Sequence, residues 1–136
     1  MVQETLTLKE KTIAITRPLG QTDKTAEIIR EKGGVPYFIP TIEIKEVSDW
    51  SPVEKFIQET ASGKVDYVVF MSVNGVRHLL NIAEKLKMLD ILKRAMLKPF
   101  IIAVGPKTAE ELKINGIHVN LIPLQYTSES IAESLK

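Results

Sequence analysis

The stretch that decides the fold reads VDYVVFM at residues 65–71, and it is followed by the polar sequence SVNG at residues 72–75. An almost unbroken apolar run of this length is typical of a strand in a parallel sheet that helices cover on both faces. A second run of this kind, FIIAV at residues 100–104, ends at Gly105 and Pro106. We therefore predict that the two runs are neighbouring central strands, buried on both faces.

Helical patterns alternate with apolar segments on either side of these two runs. Apolar residues recur at helical spacing at 21–32, 51–61, 76–86, 90–96, 108–115 and 128–135. Shorter β-rich segments lie at 12–16, 35–44 and 117–122, and Pro36 and Pro40 mark 35–44 as an edge strand or a bent extended segment. Because right-handed crossovers place helices against a parallel sheet, the order predicts an α/β fold. We expect about five parallel strands with helices on both faces, in a flavodoxin-like or Rossmann-like arrangement.

Two helix starts carry capping signals. Ser51 is followed by Pro52 and Glu54, which predicts a capping box with Ser51 as the cap. Thr108 and Glu111 have the same spacing and predict a second capping box.

The composition is that of an ordinary globular chain, with 136 residues, 44% of them hydrophobic. Eighteen basic and 17 acidic residues give a formal net charge of +1, which provides no broad field for nucleic acid or an anionic membrane surface. The absence of cysteine excludes disulfides and thiolate chemistry. No stretch is apolar enough to span a membrane, and residues 1–11 do not resemble a signal sequence. We expect a cytoplasmic protein.

Polar residues follow four of the predicted strands. In open α/β sheets, ligands bind at the carboxyl ends of the strands, where helix N-termini offer free N–H groups to carboxylates or phosphates. The loops at these ends predict a site for an anionic ligand. The candidate residues are Thr16, Arg17, Ser72, Asn74, Thr108, Tyr126, Thr127 and Ser128.

Several of these residues also have a simpler structural explanation. Helix capping alone explains Thr108 and Ser128, a surface salt bridge explains Arg17 equally well, and Tyr126 could be a ring at the edge of the core. His78 and His118 stand apart from any triad or metal-ligand spacing. The dinucleotide and P-loop fingerprints are also absent from the sequence.

Five motifs in this order resemble the uroporphyrinogen-III synthase family. They are ITRP at 15–18, PTIEI at 40–44, DYVVFMSVNGV at 66–76, AVGPKTAEEL at 103–112 and YTSESI at 126–131. The resemblance covers residues 13–135 and corresponds to about the first half of a family member. Family members consist of two α/β lobes joined by a two-stranded connector. By this resemblance residues 1–40 begin the first lobe, 41–48 form the connector, and 49–136 form an incomplete second lobe.

The resemblance implies the cyclisation of hydroxymethylbilane to uroporphyrinogen III, with inversion of the last pyrrole ring and loss of water, and it implies no cofactor and no metal. The eight candidate residues match the family's motifs and would bind the acidic tetrapyrrole substrate. No catalytic residue is assigned, because the family's tyrosine proton donor belongs to the unmatched half and is not Tyr126. This chain alone would lack half of the cleft, so we expect a complementing second half or a homo-oligomer.

A non-catalytic module of flavodoxin type is the alternative. It would hold an anionic small molecule, such as a flavin phosphate, at the same strand ends, with Thr22 or Thr25 contacting the phosphate.

Overall fold

The chain divides into two compact units, with the boundary between Glu46 and Val47. The computed structural model describes residues 7–135. The boundary falls inside the segment 41–48 that the resemblance assigns to a connector, whereas the assignment of the flanking parts to two lobes stays a prediction. In the described part of the chain, no helix is both long and apolar enough to cross a membrane.

The first unit is a single βαβ element. It contains strand β1 (Thr12–Ile15), helix α1 (Asp23–Glu31) and strand β2 (Val35–Phe38). The strands pair in parallel, with Thr12 opposite Val35 and Ile15 opposite Phe38. Gly33 has a φ of 80°, a left-handed conformation that glycine adopts without strain and that ends α1. The small core of this unit contains Ile15, Ala26 and Ile29.

The second unit begins with helix α2 (Ser51–Ala61) and continues through strand β3 (Tyr67–Phe70) and helices α3 (Val73–Lys85) and α4 (Leu89–Ala95). Strand β4 (Phe100–Ala103), helix α5 (Pro106–Ile114) and helix α6 (Ser128–Ser134) complete it. Strands β3 and β4 pair in parallel, with Tyr67 opposite Phe100 and Phe70 opposite Ala103. The prediction that these two runs are neighbouring parallel strands is therefore confirmed.

The predicted fifth strand, residues 117–122, is reduced to one parallel bridge between Leu121 and Ile102. The Asn120 side chain explains why, because its Oδ1 accepts a hydrogen bond from the Ile101 N–H at 2.7 Å. A side chain thus takes a position that a backbone carbonyl would take in a regular ladder. The described strands form two separate two-stranded sheets. The α/β class with parallel strands is confirmed, and a single sheet of about five strands is not.

The prediction that β3 is buried on both faces is wrong. Its Val68 and Phe70 side chains join a core cluster to which α2, α3, α4 and α5 all contribute. The alternate side chains of Tyr67, Val69 and Met71 are 57%, 38% and 50% exposed. Successive side chains of a strand point to opposite faces, so one face of β3 is covered by the helices and the other is open to solvent.

Both predicted capping boxes are also wrong. Ser51 is the first residue of α2, and its N–H donates to the Asp49 carboxylate at 2.9 Å. Gly105 precedes the first residue of α5, so Thr108 lies inside the helix and is 4% exposed. Proline suits the first turn of a helix because it has no N–H to satisfy. The turns containing Pro52 and Pro106 therefore begin earlier than the capping pattern indicates.

The core of the second unit predicts a large difference between two nearby residues of α5. Leu112 is fully buried, whereas Ile114 is 75% exposed. We expect Leu112→Ala to lower the free energy of unfolding by about 2–5 kcal/mol, through lost apolar contacts and a residual cavity. Ile114→Ala is the matched control and should have little effect. Urea denaturation followed by circular dichroism measures both, and equal losses would contradict the assigned core.

Candidate functional site

Two loops leave the second unit's sheet at the same edge. The register pairs Phe70 with Ala103, so the chain enters the loop after β3 and the loop after β4 at the same level of the sheet. Ser72 and Gly105 each lie two residues beyond these paired positions. Because the strands are parallel, both loops lie at the carboxyl edge of the pair, where ligands bind in open α/β sheets.

A third loop reaches the same edge from beyond Leu121. The Tyr126 ring lies against Gly105, because a Cβ atom added to that glycine would be 3.3 Å from the Tyr126 Cγ. The ring is otherwise exposed. The structure thus brings Tyr126 to the start of α5, where part of its ring packs on buried Gly105.

Two side-chain hydroxyl groups at this edge cap the N-termini of helices. The Ser72 Oγ accepts a hydrogen bond from the Gly75 N–H at 3.0 Å and caps α3. The Thr127 Oγ1 accepts one from the Ser130 N–H at 3.2 Å and caps α6. Asn74 follows in the first turn of α3 and is half-buried, and Ser128 is the exposed first residue of α6. Ser72 and Thr127, rather than Thr108 and Ser128, are therefore the capping residues.

The first turn of α5 is the part of this edge best suited to an anion. No side chain caps the helix at Gly105. The N–H groups of Lys107 and Thr108 donate no hydrogen bond to any described residue. Free N–H groups at a helix N-terminus attract carboxylates and phosphates. The Thr108 side chain is buried, so this residue would meet a ligand through its backbone N–H.

Thr16 and Arg17 form a separate group in the first unit, at the carboxyl end of β1. The Thr16 carbonyl accepts hydrogen bonds from the Thr41 N–H at 3.3 Å and from the Thr41 hydroxyl at 3.2 Å. These bonds attach the chain beyond β2 to the end of β1. Arg17 is exposed and makes no ion pair with any described residue, so the salt-bridge interpretation is wrong for residues 7–135.

Sequence reasoning missed an ion pair that joins the two helices whose first turns form the edge. The Arg77 Nη2 donates to the Glu111 Oε2 at 2.7 Å, which links α3 to α5. The hydrogen bond from Arg77 lowers the pKa of Glu111, and the hydrogen bond to Glu111 raises the pKa of Arg77. The partners are 34 residues apart in sequence, so no local spacing signals the pair.

Two other arrangements contribute little to the candidate site. A groove at the amino ends of β3 and β4 is lined by Asp66, Lys98 and Asn120 among others, and it lies away from the three loops. No group of three or more His, Asp or Glu side chains within residues 7–135 is arranged to hold a metal ion.

The ion pair predicts an acid-sensitive link between α3 and α5. Because folding lowers the pKa of Glu111, the stabilisation is complete above the pKa of an unfolded glutamate, about 4.3. It is lost as the pH falls through the lowered folded-state value. We expect Glu111→Gln to lower the melting temperature at neutral pH and to leave it unchanged in strong acid.

The matched control is Glu110→Gln, at an exposed neighbouring position of α5 outside the ion pair. Thermal unfolding of the wild type and both variants across this pH range gives the comparison. A melting-temperature difference for Glu111→Gln that persists unchanged into strong acid would contradict the assignment.

The comparisons with known proteins agree with one another. The family described as "Uroporphyrinogen-III synthase HemD" matches residues 23–136. A uroporphyrinogen-III synthase of Synechococcus elongatus is 32% identical over 126 residues, which are 90% of this chain and 44% of that protein. A putative uroporphyrinogen-III synthase of Methanothermobacter thermautotrophicus is 28% identical over 123 residues, 90% of this chain and 46% of that protein.

A crystal structure of a mutant uroporphyrinogen III synthase from the extremely thermophilic bacterium Thermus thermophilus superposes with a TM-score of 0.70 at 23% identity, covering 90% of this chain and 46% of that one. This likeness shows the fold. The chain spans about half the length of the curated relatives it matches.

Proposed function

The chain belongs to the uroporphyrinogen-III synthase family, and we propose that it serves the cyclisation of hydroxymethylbilane to uroporphyrinogen III. The reaction inverts the last pyrrole ring and releases water. The observation that carries the proposal is the family match over residues 23–136. The convergence of three loops at the carboxyl edge of β3 and β4 supports it, since that edge suits a ligand rich in carboxylates.

The proposed role of these residues is to bind and orient the acidic tetrapyrrole. The free N–H groups of Lys107 and Thr108 would bind one carboxylate of the substrate. In the first unit, Arg17 makes no ion pair with the described residues and would be free to bind a carboxylate of the substrate. Ser72 and Thr127 fix the ends of α3 and α6 and thereby the shape of the edge. Ring inversion depends chiefly on orientation, because the flexible substrate must close at the less accessible carbon.

The completed fold is part of the same proposal. The Phe100 N–H bonds to the Asp66 carbonyl and the Val104 N–H to the Phe70 carbonyl, so even-numbered residues of β3 face β4. The backbone groups of Tyr67 and Val69 therefore face the open edge. Further parallel strands added there would give a sheet of about five strands. They would come from a complementing second half or from a second copy of this chain. We place this assembly in the cytoplasm.

A flavodoxin-like module is not favoured. Of the two threonines that would contact its phosphate, Thr22 is 2% exposed and Thr25 is half-buried. The family match also favours the synthase.

The proposal predicts that Arg17→Ala weakens binding of uroporphyrinogen III. Loss of one charge-assisted hydrogen bond corresponds to roughly a tenfold to hundredfold increase in the dissociation constant. Isothermal titration under anaerobic conditions measures the constant. Arg30→Ala is the matched control, because Arg30 is an exposed arginine at the far end of α1 in the same unit. Equal affinities for wild type and Arg17→Ala would refute the role of Arg17.

The same preparation should produce no type III isomer from fresh hydroxymethylbilane above the level of a protein-free control. By the resemblance, this chain corresponds to one nearly complete lobe, which offers only one wall of a cleft and does not exclude water from the reacting carbon. Chromatography of the oxidised products resolves the isomers. Formation of type III product by this chain alone would show that no further polypeptide is required.

A further inference from the structure

The sequence Asn-Gly occurs at residues 74–75 and again at residues 115–116. Because glycine has no side chain, its backbone nitrogen readily approaches the side-chain amide carbon of a preceding asparagine. Attack by that nitrogen releases ammonia and converts the asparagine to an acidic residue through a cyclic imide. The two sites share the same dipeptide, so a difference between their reactivities in the native chain must come from the fold.

The fold holds Asn74 in a helix. Asn74 is the second residue of α3 and is half-buried. The Gly75 N–H donates to the Ser72 Oγ at 3.0 Å in the bond that caps this helix. A helix aligns each backbone N–H with its axis and away from the side chains. The Gly75 nitrogen can therefore reach the Asn74 side chain only if the first turn of α3 and its cap break.

Asn115 lies just beyond the last residue of α5, with a φ of −88° and a ψ of 9°. The Gly116 N–H donates to the Lys113 carbonyl at 3.0 Å. This bond lies at the end of the helix, where local opening costs the least free energy. A Cβ atom added to Gly116 would meet no atom within 4 Å. The Gly116 backbone thus has room to rotate toward the Asn115 side chain when the last turn opens.

We propose that Asn115 is a site of spontaneous deamidation in the native protein, and that the fold protects Asn74 from the same reaction. The Gly116 nitrogen loses its proton to solvent and bonds to the Asn115 Cγ, and the amide nitrogen leaves as ammonia. Water then opens the succinimide at either carbonyl. One product is aspartate, and the other is isoaspartate, in which the main chain runs through the former side chain. Water is the only co-reactant, so the proposal stands apart from the proposed activity.

The Asn115 amide has a structural role that deamidation would remove. Its Nδ2 donates to the Glu111 carbonyl at 2.8 Å and lies 3.5 Å from the Glu111 Oε1. Aspartate would replace this donor by a negative charge, beside the Glu111 carboxylate and at the C-terminal end of α5. Isoaspartate would also lengthen the main chain just before Ile117, which is 3% exposed and belongs to the core. Both products should destabilise the second unit, and isoaspartate should do so more strongly.

Incubation of the purified chain in warm, mildly alkaline buffer tests the site. Peptide mass mapping detects the replacement of NH₂ by OH at each asparagine. We expect Asn115 to react at least about tenfold faster than Asn74, because the end of α5 opens at a lower free energy than the capped start of α3. The chain in concentrated urea is the control, and there the two sites should react at similar rates. Equal rates at the two sites of the native chain, or an Asn115 that stays unmodified there, would overturn the proposal.

Variants test the structural consequence. Asn115→Asp should melt at a lower temperature than the wild type, and the isoaspartate form isolated from the aged chain should melt at a still lower one. Asn115→Gln, whose longer side chain forms the cyclic imide much less readily, should melt at the same temperature before and after incubation. Asn74→Gln is the matched control and should age like the wild type. An aged wild-type chain that is modified at Asn115 but melts like the fresh one would contradict the role of the amide.

Discussion

The parallel pairing of β3 with β4 is the constraint on which the rest of the second unit depends. Parallel strands end at the same edge of a sheet, and the register of Phe70 with Ala103 brings the first turns of α3 and α5 to one level. The Arg77–Glu111 ion pair then links these helices. Tyr126 reaches the same edge because its ring lies against Gly105, where any side chain would crowd it.

The strands and the positions of most helices could be predicted from sequence, because their signal is local. The runs VDYVVFM and FIIAV are apolar with little interruption, and such runs do form strands β3 and β4. The helix boundaries were harder to predict, because Ser51 and Thr108 have the residue spacing of a capping box but do not cap their helices. The prolines at the starts of α2 and α5 instead begin each helix earlier. At α2 the Ser51 N–H donates to the Asp49 carboxylate, and the Glu54 N–H donates to the Trp50 carbonyl.

The burial of strand side chains and the pairing of residues far apart in sequence could not be predicted from local sequence patterns. The side chains of Tyr67 and Val69 suit a strand that is covered on both faces. The sequence pattern does not show whether any other part of the protein covers the second face. The pairing of Arg77 with Glu111 depends on how α3 packs on α5. Asn120 interrupts a predicted strand through a single side-chain hydrogen bond. For the candidate site, sequence pointed to the loops, while the structure identified the free N–H groups at the start of α5.

The open surfaces of β3 agree with the proposal that a complementing second half or a second copy completes the sheet. The chain spans about half the length of the relatives it matches, and the open face and edge of β3 are features that parallel sheets normally bury.

We propose above that the carboxyl edge of β3 and β4 binds the acidic groups of the tetrapyrrole. Amide chemical shifts of the isotope-labelled chain during titration with uroporphyrinogen III test it most directly. We expect the largest changes at the N–H groups of Lys107 and Thr108 and in the loop around Ser72. Changes confined to the groove near Asp66 and Lys98, at the opposite end of the strands, would contradict it.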